Sequence, residues 1–203
     1  MMTEKSKYLS ILKSEFGKYG SWALWDRDGG IISFVNNNDF RLLIKPNVIF
    51  IGLNASGKLS KDWINYHSEC CESGKVESCW KRTHARKLAD VLREKEFDAL
   101  RGAYMTDIIK NHYDANSGVV ANKIRKNANL ITENLNLFEN ELKILSKISG
   151  STDFHIICIG NKSFEILSQI SKYKIDKIWH YSAYQLGWEG VKERIRQDLR
   201  KIV

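Results

Sequence analysis

Four apolar residues in a row, Val48-Ile-Phe-Ile51, run straight into Gly52, and this stretch constrains the chain more than any other. The run is too short for a buried helix and rich in β-branched and aromatic side chains. It reads as a buried strand of a parallel sheet that breaks into a polar loop, Gly52-Leu-Asn-Ala-Ser-Gly-Lys58. In open α/β sheets ligands collect outside the carboxyl ends of such strands, so this loop is the first place to look for function.

The rest of the chain supplies the partners such a strand needs. Leu9, Leu12 and Phe16 share one face of a helix over residues 3–16, closed by Gly17 and Gly20. Two β-rich runs around Asp28-Gly29 (Trp22 to Trp25, then Ile31 to Val35) predict a hairpin-like excursion, and Pro46 punctuates entry into the first parallel strand. Ala85, Leu88, Ala89 and Leu92 mark a helix with Arg86, Lys87 and Arg93 on its wet side. Strands are expected at Ala103–Ile109, His155–Gly160 and Ile175–Trp179. Between and after them, helices are expected at Lys123–Ile148, Lys162–Gln169 and Trp188–Lys201. The last of these turns Val191, Ile195 and Leu199 inward and Lys192, Arg196 and Arg200 outward. Strands alternating with helices imply right-handed βαβ units. The fold class is therefore α/β, a three-layer α/β/α sandwich around a four-stranded, mainly parallel sheet. A single domain spans 1–203, with an N-terminal extension over 1–45 and the core over 46–203.

At 203 residues, 43% hydrophobic and 28% charged, the chain has the composition of a soluble globular domain that needs no disulfide or metal staple. No stretch reaches a membrane span and Met-Met-Thr-Glu-Lys lacks an apolar signal region, so the expected location is the cytoplasm, and the expected state a monomer. The surplus of basic over acidic residues is eight, with a pI near 9.2, which biases the protein toward polyanionic partners such as nucleic acid. Cys158 sits in an apolar run and reads as core. His67, Cys70, Cys71, Cys79 and His84 carry ligand types that zinc uses, at a spacing that matches no common zinc module, so no metal or other cofactor is assigned.

Two readings compete for the first loop. Gly52 to Lys58 comes within one residue of the phosphate-cradling pattern G-x-x-x-x-G-K-[ST], but Leu59 occupies the hydroxyl position and cannot ligate Mg²⁺. Asp107, at the end of an apolar strand, would imitate the metal-holding acid of that reading. The second reading uses more of the chain. Gly52-Leu-Asn-Ala-Ser56 resembles the first motif of the uracil-DNA glycosylase superfamily, above all its mismatch-specific branch. His180-Tyr-Ser182 resembles its second motif, Ala103 to Lys110 its base-recognising strand, and Ile157-Cys-Ile-Gly160 the element before the second motif. The order agrees over roughly residues 45–200, while Ala55 and Tyr181 replace the two motif prolines and Asp107 stands where asparagine is common.

The resemblance implies a DNA base-excision hydrolase acting on a flipped nucleotide. It makes Asn54 the residue that orients the attacking water and His180 the one that stabilises the departing base. It places Gly52, Leu53, Asp107 and Ser182 around the base, with Tyr66, twelve residues after Asn54, stacking on it. Tyr184 or Leu186 would wedge the duplex, and Lys58, Arg82, Arg86 and Lys87 would meet phosphates, together with Lys81. An ionised Asp107 accepts hydrogen bonds only, so it disfavours uracil O4 and favours an exocyclic amine. Each residue also has an ordinary structural role open to it: a turn for Asn54, core-edge packing for His180 and Tyr184, a capped turn for Asp107, a solvated helix face for the cations. A member of the fold that binds nucleic acid without cleaving it is the remaining alternative.

Overall fold

A computed structural model describes residues 4–24, 40–55, 84–110, 112, 114, 116–169 and 172–203. The predicted hairpin after Trp22 lies largely outside these residues, as do Lys58, Tyr66, His67, Cys70, Cys71, Cys79, Lys81 and Arg82.

The elements are α1 (Glu4–Phe16), β1 (Ser21–Trp22), α2 (Phe40–Leu43), β2 (Lys45–Asn54), α3 (Arg86–Leu92), β3 (Ala103–Ile109), α4 (Ser117–Lys126), α5 (Ala128–Ser149), β4 (His155–Ile159), α6 (Asn161–Leu167), β5 (Lys174–Ile178) and α7 (Gly187–Leu199). The sheet has five strands in the order β1-β3-β2-β4-β5, one more than the sequence predicts. The extra strand is β1, which pairs antiparallel with β3 through Ser21–Met105 and Trp22–Tyr104. Two residues carry too little pattern to read as a strand; the ladder to β3, the backbone bonds of Ala23 to Ala103 and Gly102, and the Trp22 ring edge-on to Tyr104, 5.1 Å between centroids, fix them there. The described part of the 1–45 segment is thus built into the domain: β1 extends the sheet, and α1 buries Leu9, Leu12 and Phe16 in the same apolar cluster as Phe138, Leu142 and Leu145 of α5.

The central strands β2, β3 and β4 bury residues on both faces, whereas edge strand β5 buries only Ile178. Every residue of β3 is buried, which is why its sequence reads as a nearly unbroken apolar run. One face carries α1, α5 and α6, and the other carries α3 and α7, with Val191, Ile195 and Leu199 fully buried as expected. Cys158 is fully buried too, and burial pushes its thiol up to about 12. Pro46 falls inside β2 rather than before it, at a register irregularity between Lys45 and Ile49 where a missing N–H costs no ladder bond. The predicted long helix is two: Asn127, extended at φ −137° and ψ 90°, separates α4 from α5. Asparagine side chains compete for backbone hydrogen bonds, and such a residue readily breaks a helix. Among the described residues no helix is long and apolar enough to cross a membrane.

Helix α3, between β2 and β3 in the chain, packs on one face of the sheet, and α6, between β4 and β5, packs on the other. The adjacent central strands β2 and β4 therefore form a topological switch point, with Asn54 and Gly160 at their carboxyl ends.

Candidate functional site

Asn54 is the last residue of β2, opposite Ile109 of β3, and is half-buried. Its carboxamide nitrogen donates to the carbonyls of Asp114 at 2.8 Å and Ala55 at 3.0 Å, with that of His112 at 3.5 Å. All three partners are acceptors, so the group facing them must be the NH₂ and the amide orientation is fixed by chemistry. The carboxamide oxygen Oδ1 is left pointing away from this clamp and accepts no hydrogen bond from the described residues. The Asp114 N–H returns a bond to the Ala55 carbonyl at 3.2 Å, so the strap after β3 is stitched to the end of β2. Asn54 is a preorganised acceptor, not a free turn residue.

At Gly52 a Cβ would lie 2.3 Å from Asp107 Oδ1, so the carboxylate rests against the Gly52 backbone and would have to move for any other residue. Asp107 is 4% exposed and Leu53 7%, so both are buried.

His180 arrives from the end of β5. Its Nδ1 accepts the Ser182 backbone N–H at 3.1 Å and lies 2.7 Å from the Ser182 hydroxyl. A backbone N–H can only donate, so Nδ1 carries no proton and the neutral ring holds its proton on Nε2. Burial, then the nearby His84 and Lys87, lower the His180 pKa to about 4, so the ring is neutral at pH 7. Gly160, in the left-handed region at φ +86°, makes room for it: a Cβ there would sit 3.1 Å from His180 Cδ2. Ser182 was expected to bind substrate, but both its polar groups are spent on orienting His180.

Lys87 departs furthest from the sequence reading. Expected on the wet side of α3, it is 3% exposed. Its ammonium donates to the Tyr181 carbonyl at 2.9 Å, lies 3.1 Å from His84 Nδ1, and sits 4.8 Å from the Trp188 ring centroid. Lys87 lies across α3 from the Ala85, Ala89 and Leu92 stripe that the sequence turns inward, and the loop after β5 folding over it makes it internal. Burial lowers its pKa. Arg86 and Arg93 turn onto Asp90, the former at 3.5 Å, so Arg86 stays at the surface but is partly engaged. Tyr184 is 82% exposed and Leu186 48%, on the loop that follows His180.

The chain matches no protein-family model, no curated protein and no solved structure. No three or more His, Cys, Asp or Glu side chains are grouped to hold a metal ion among the described residues.

Beneath the strap that clamps Asn54 lies a buried network the sequence reading missed. Lys110 Nζ pairs with Glu141 Oε2 at 2.5 Å, both side chains being fully buried. Tyr104 Oη and Thr106 Oγ1 donate to Glu141 Oε1 at 2.8 and 3.0 Å, and Lys110 Nζ donates to Thr106 Oγ1 at 2.9 Å. The Lys110 N–H donates to Asn134 Oδ1 at 2.7 Å. A signal existed: Asn134, Phe138, Glu141 and Leu145 fall at i, i+4, i+7 and i+11, one helical stripe with two polar members. Neither of two cavities elsewhere among the described residues is lined by Asn54 or His180. One of about 690 Å³ lies at the amino ends of β4 and β5, and one of about 470 Å³ lies beside the Lys110–His112 strap.

Proposed function

We propose that this chain is a DNA base-excision glycosylase with a uracil-DNA-glycosylase-like fold, hydrolysing the N-glycosidic bond of a flipped, uracil-like, mismatched or modified nucleotide. The observation that carries the reading is the Ser182 N–H on His180 Nδ1, which leaves a neutral ring with an Nε2 proton at the same sheet edge as Asn54. Two intervening strand spacings put the ends of β2 and β5 about 10 Å apart, room for one nucleotide between them.

In this reading Asn54 Oδ1 accepts a hydrogen bond from a water and aims its oxygen at the anomeric carbon. As the C1′–N bond breaks, the bonding pair leaves with the base, and His180 Nε2–H donates to the base oxygen where charge develops. A neutral donor suits this task, because it needs no proton before the bond breaks. The water's oxygen then bonds to C1′, and its proton passes to solvent or to the departing base. Tyr66 stacks on the base, Tyr184 and Leu186 enter the gap in the duplex, and Lys58, Arg82 and Arg86 meet phosphates. Lys87 is withdrawn from that set because it is buried. Asp107 selects against uracil and for a base offering an amine.

The test is a panel of single- and double-stranded oligonucleotides carrying uracil, hypoxanthine, xanthine, mismatched thymine or modified cytosines, each cut with alkali at abasic sites after incubation. Cleavage that disappears in Asn54→Ala supports the reading, and Asp107→Asn is expected to gain activity on uracil. A blank panel beside an active control enzyme sinks it and leaves a fold that binds nucleic acid without excision. The phosphate-loop alternative loses ground because Gly52 and Asn54 lie within β2 and Gly52 is covered by Asp107.

A further inference from the structure

The cavity of about 470 Å³ beside the strap is lined by neither Asn54 nor His180, and its walls have a consistent chemistry. It is bounded by the end of β3, one face of α4 and the first two turns of α5, and its volume is that of a small-molecule site. Leu130 and Leu137, one helical stripe of α5, form an apolar wall. Lys123 and Lys126, one turn apart on α4, are exposed, and neither makes an ion pair among the described residues. His112 contributes its ring, whose Nε2 is shielded from solvent without a hydrogen-bond partner among the described residues. A buried polar atom left unpaired is costly, and a ligand heteroatom would satisfy it.

Asn127, at the junction of α4 and α5, adds an amide that can donate or accept, while two further polar groups in the wall are already engaged. Lys110 is neutralised by Glu141, and the Asn134 amide is used at both ends, accepting from Lys110 N and donating to the Leu130 carbonyl at 2.8 Å. What remains besides Asn127 is specific: two cations, one orphan imidazole nitrogen, a flat apolar wall, and Glu133 at the rim, a carboxylate that can only accept. A ligand that meets all four has an anionic group, an apolar flat body, a heteroatom within it and an amine or hydroxyl donor. Inorganic phosphate would leave the leucines and His112 unmet, and a fatty acid would bring nothing for His112 or Glu133.

We propose that this cleft is a second binding site, for a nucleoside monophosphate, with its phosphate on Lys123 and Lys126 and its base between Leu130, Leu137 and His112. The nucleotide comes either free or as one residue of a nucleic-acid strand. Occupancy also bears on the first site, because the His112 carbonyl faces the Asn54 carboxamide from the other side of the strap. The inference does not depend on base excision, since it is read by binding alone.

The experiment is calorimetric titration of the full chain with dAMP, dCMP, deoxyadenosine, inorganic phosphate and a 5′-phosphorylated trinucleotide. Monophosphates are expected to bind at least about tenfold more tightly than deoxyadenosine or phosphate, each lost charge-assisted contact being worth about 1.4 kcal/mol or more. Lys123→Ala/Lys126→Ala should weaken binding at least about tenfold, and His112→Ala several-fold, while Lys58→Ala binds like the parent. Lys123 and Lys126 are exposed, so their replacement should leave the thermal melt unchanged and keep the result interpretable. Tighter binding of the trinucleotide with the same variant sensitivity assigns the site to a strand, and preference for the mononucleotide assigns it to the free compound. No binding by any probe overturns the proposal. So does binding indifferent to both cleft variants, and so does binding lost in Lys58→Ala, which would move the nucleotide to the first loop.

Discussion

Lys87 and Lys110 are both buried lysines near the carboxyl edge of the sheet, one on each face, and they are held in opposite ways. Lys110 meets a carboxylate, Glu141, inside a closed network with Tyr104 and Thr106. Lys87 meets a carbonyl, an imidazole nitrogen and the face of an indole, with no carboxylate partner among the described residues. The first arrangement cancels charge and acts as a clip between β3 and α5. The second keeps its charge uncancelled beside the loop that carries His180, and contributes to holding that ring neutral. Burial of a cation is therefore not one device but two, and the partner decides which.

The comparison is broken most easily at Glu141. Glu141→Ala strands the Lys110 ammonium and two hydroxyl donors in the core, and should cost about 3–5 kcal/mol in a urea midpoint measured at constant slope. A loss below about 1 kcal/mol would show that the clip carries little. The double change Lys110→Met/Glu141→Leu should cost less than Glu141→Ala alone, because no charge is orphaned.

On the other face the largest effect is a pH dependence. With an ordinary histidine value of 6.5 in the unfolded chain and about 4 in the folded one, the unfolded state binds more protons between those pH values. The His180 contribution is therefore fully present above pH 6.5 and lost as the pH falls to 4, with about 3 kcal/mol as its upper bound. His84 is shifted in the same direction, so the quantity to read is the difference between the parent and His180→Gln, whose stability curve should be flatter across that window. Parallel curves for the two proteins would contradict the burial of a neutral ring.

Smaller effects sharpen the picture. Gly160→Ala forces a left-handed residue and presses a methyl group on His180, and is expected to cost about 1–3 kcal/mol. A crystal structure of that variant with His180 undisplaced would argue against close packing as the reason for glycine. Lys87→Met, which strands no carboxylate, should cost only about 1 kcal/mol. It should also raise the His180 pKa, followed by the ring proton resonance in a pH titration; an unchanged titration would separate the two groups electrostatically.

Much of the fold could be read from the chain because burial on both faces leaves a local record. The apolar runs of β2, β3 and β4 and the three-four spacing of α1, α5 and α7 report their own environment, whatever they pack against. Strand ends placed Asn54 and His180 at one sheet edge, while it was the resemblance of Gly52–Ser56 and His180–Ser182 to two family motifs that singled them out. The local record failed where the environment comes from elsewhere. Lys87 looks like a surface cation until the loop after β5 closes over it, and Ser182 looks like a binding residue until its N–H is found on His180.

The sequence by itself determined the order of strands and helices, the core they bury, and the two residues brought to one edge of the sheet. Periodicity and strand ends are local properties, and parallel strands must share an edge. The tertiary structure alone decided the states of those residues: which way the Asn54 amide points, which nitrogen of His180 holds the proton, and which buried lysine is neutralised. Each of these is set by partners distant in the chain, Asp114 for Asn54, Lys87 and Gly160 for His180, Glu141 for Lys110. Hydrogen-bond direction and local potential depend on three-dimensional neighbours, and these leave no periodic trace in the chain.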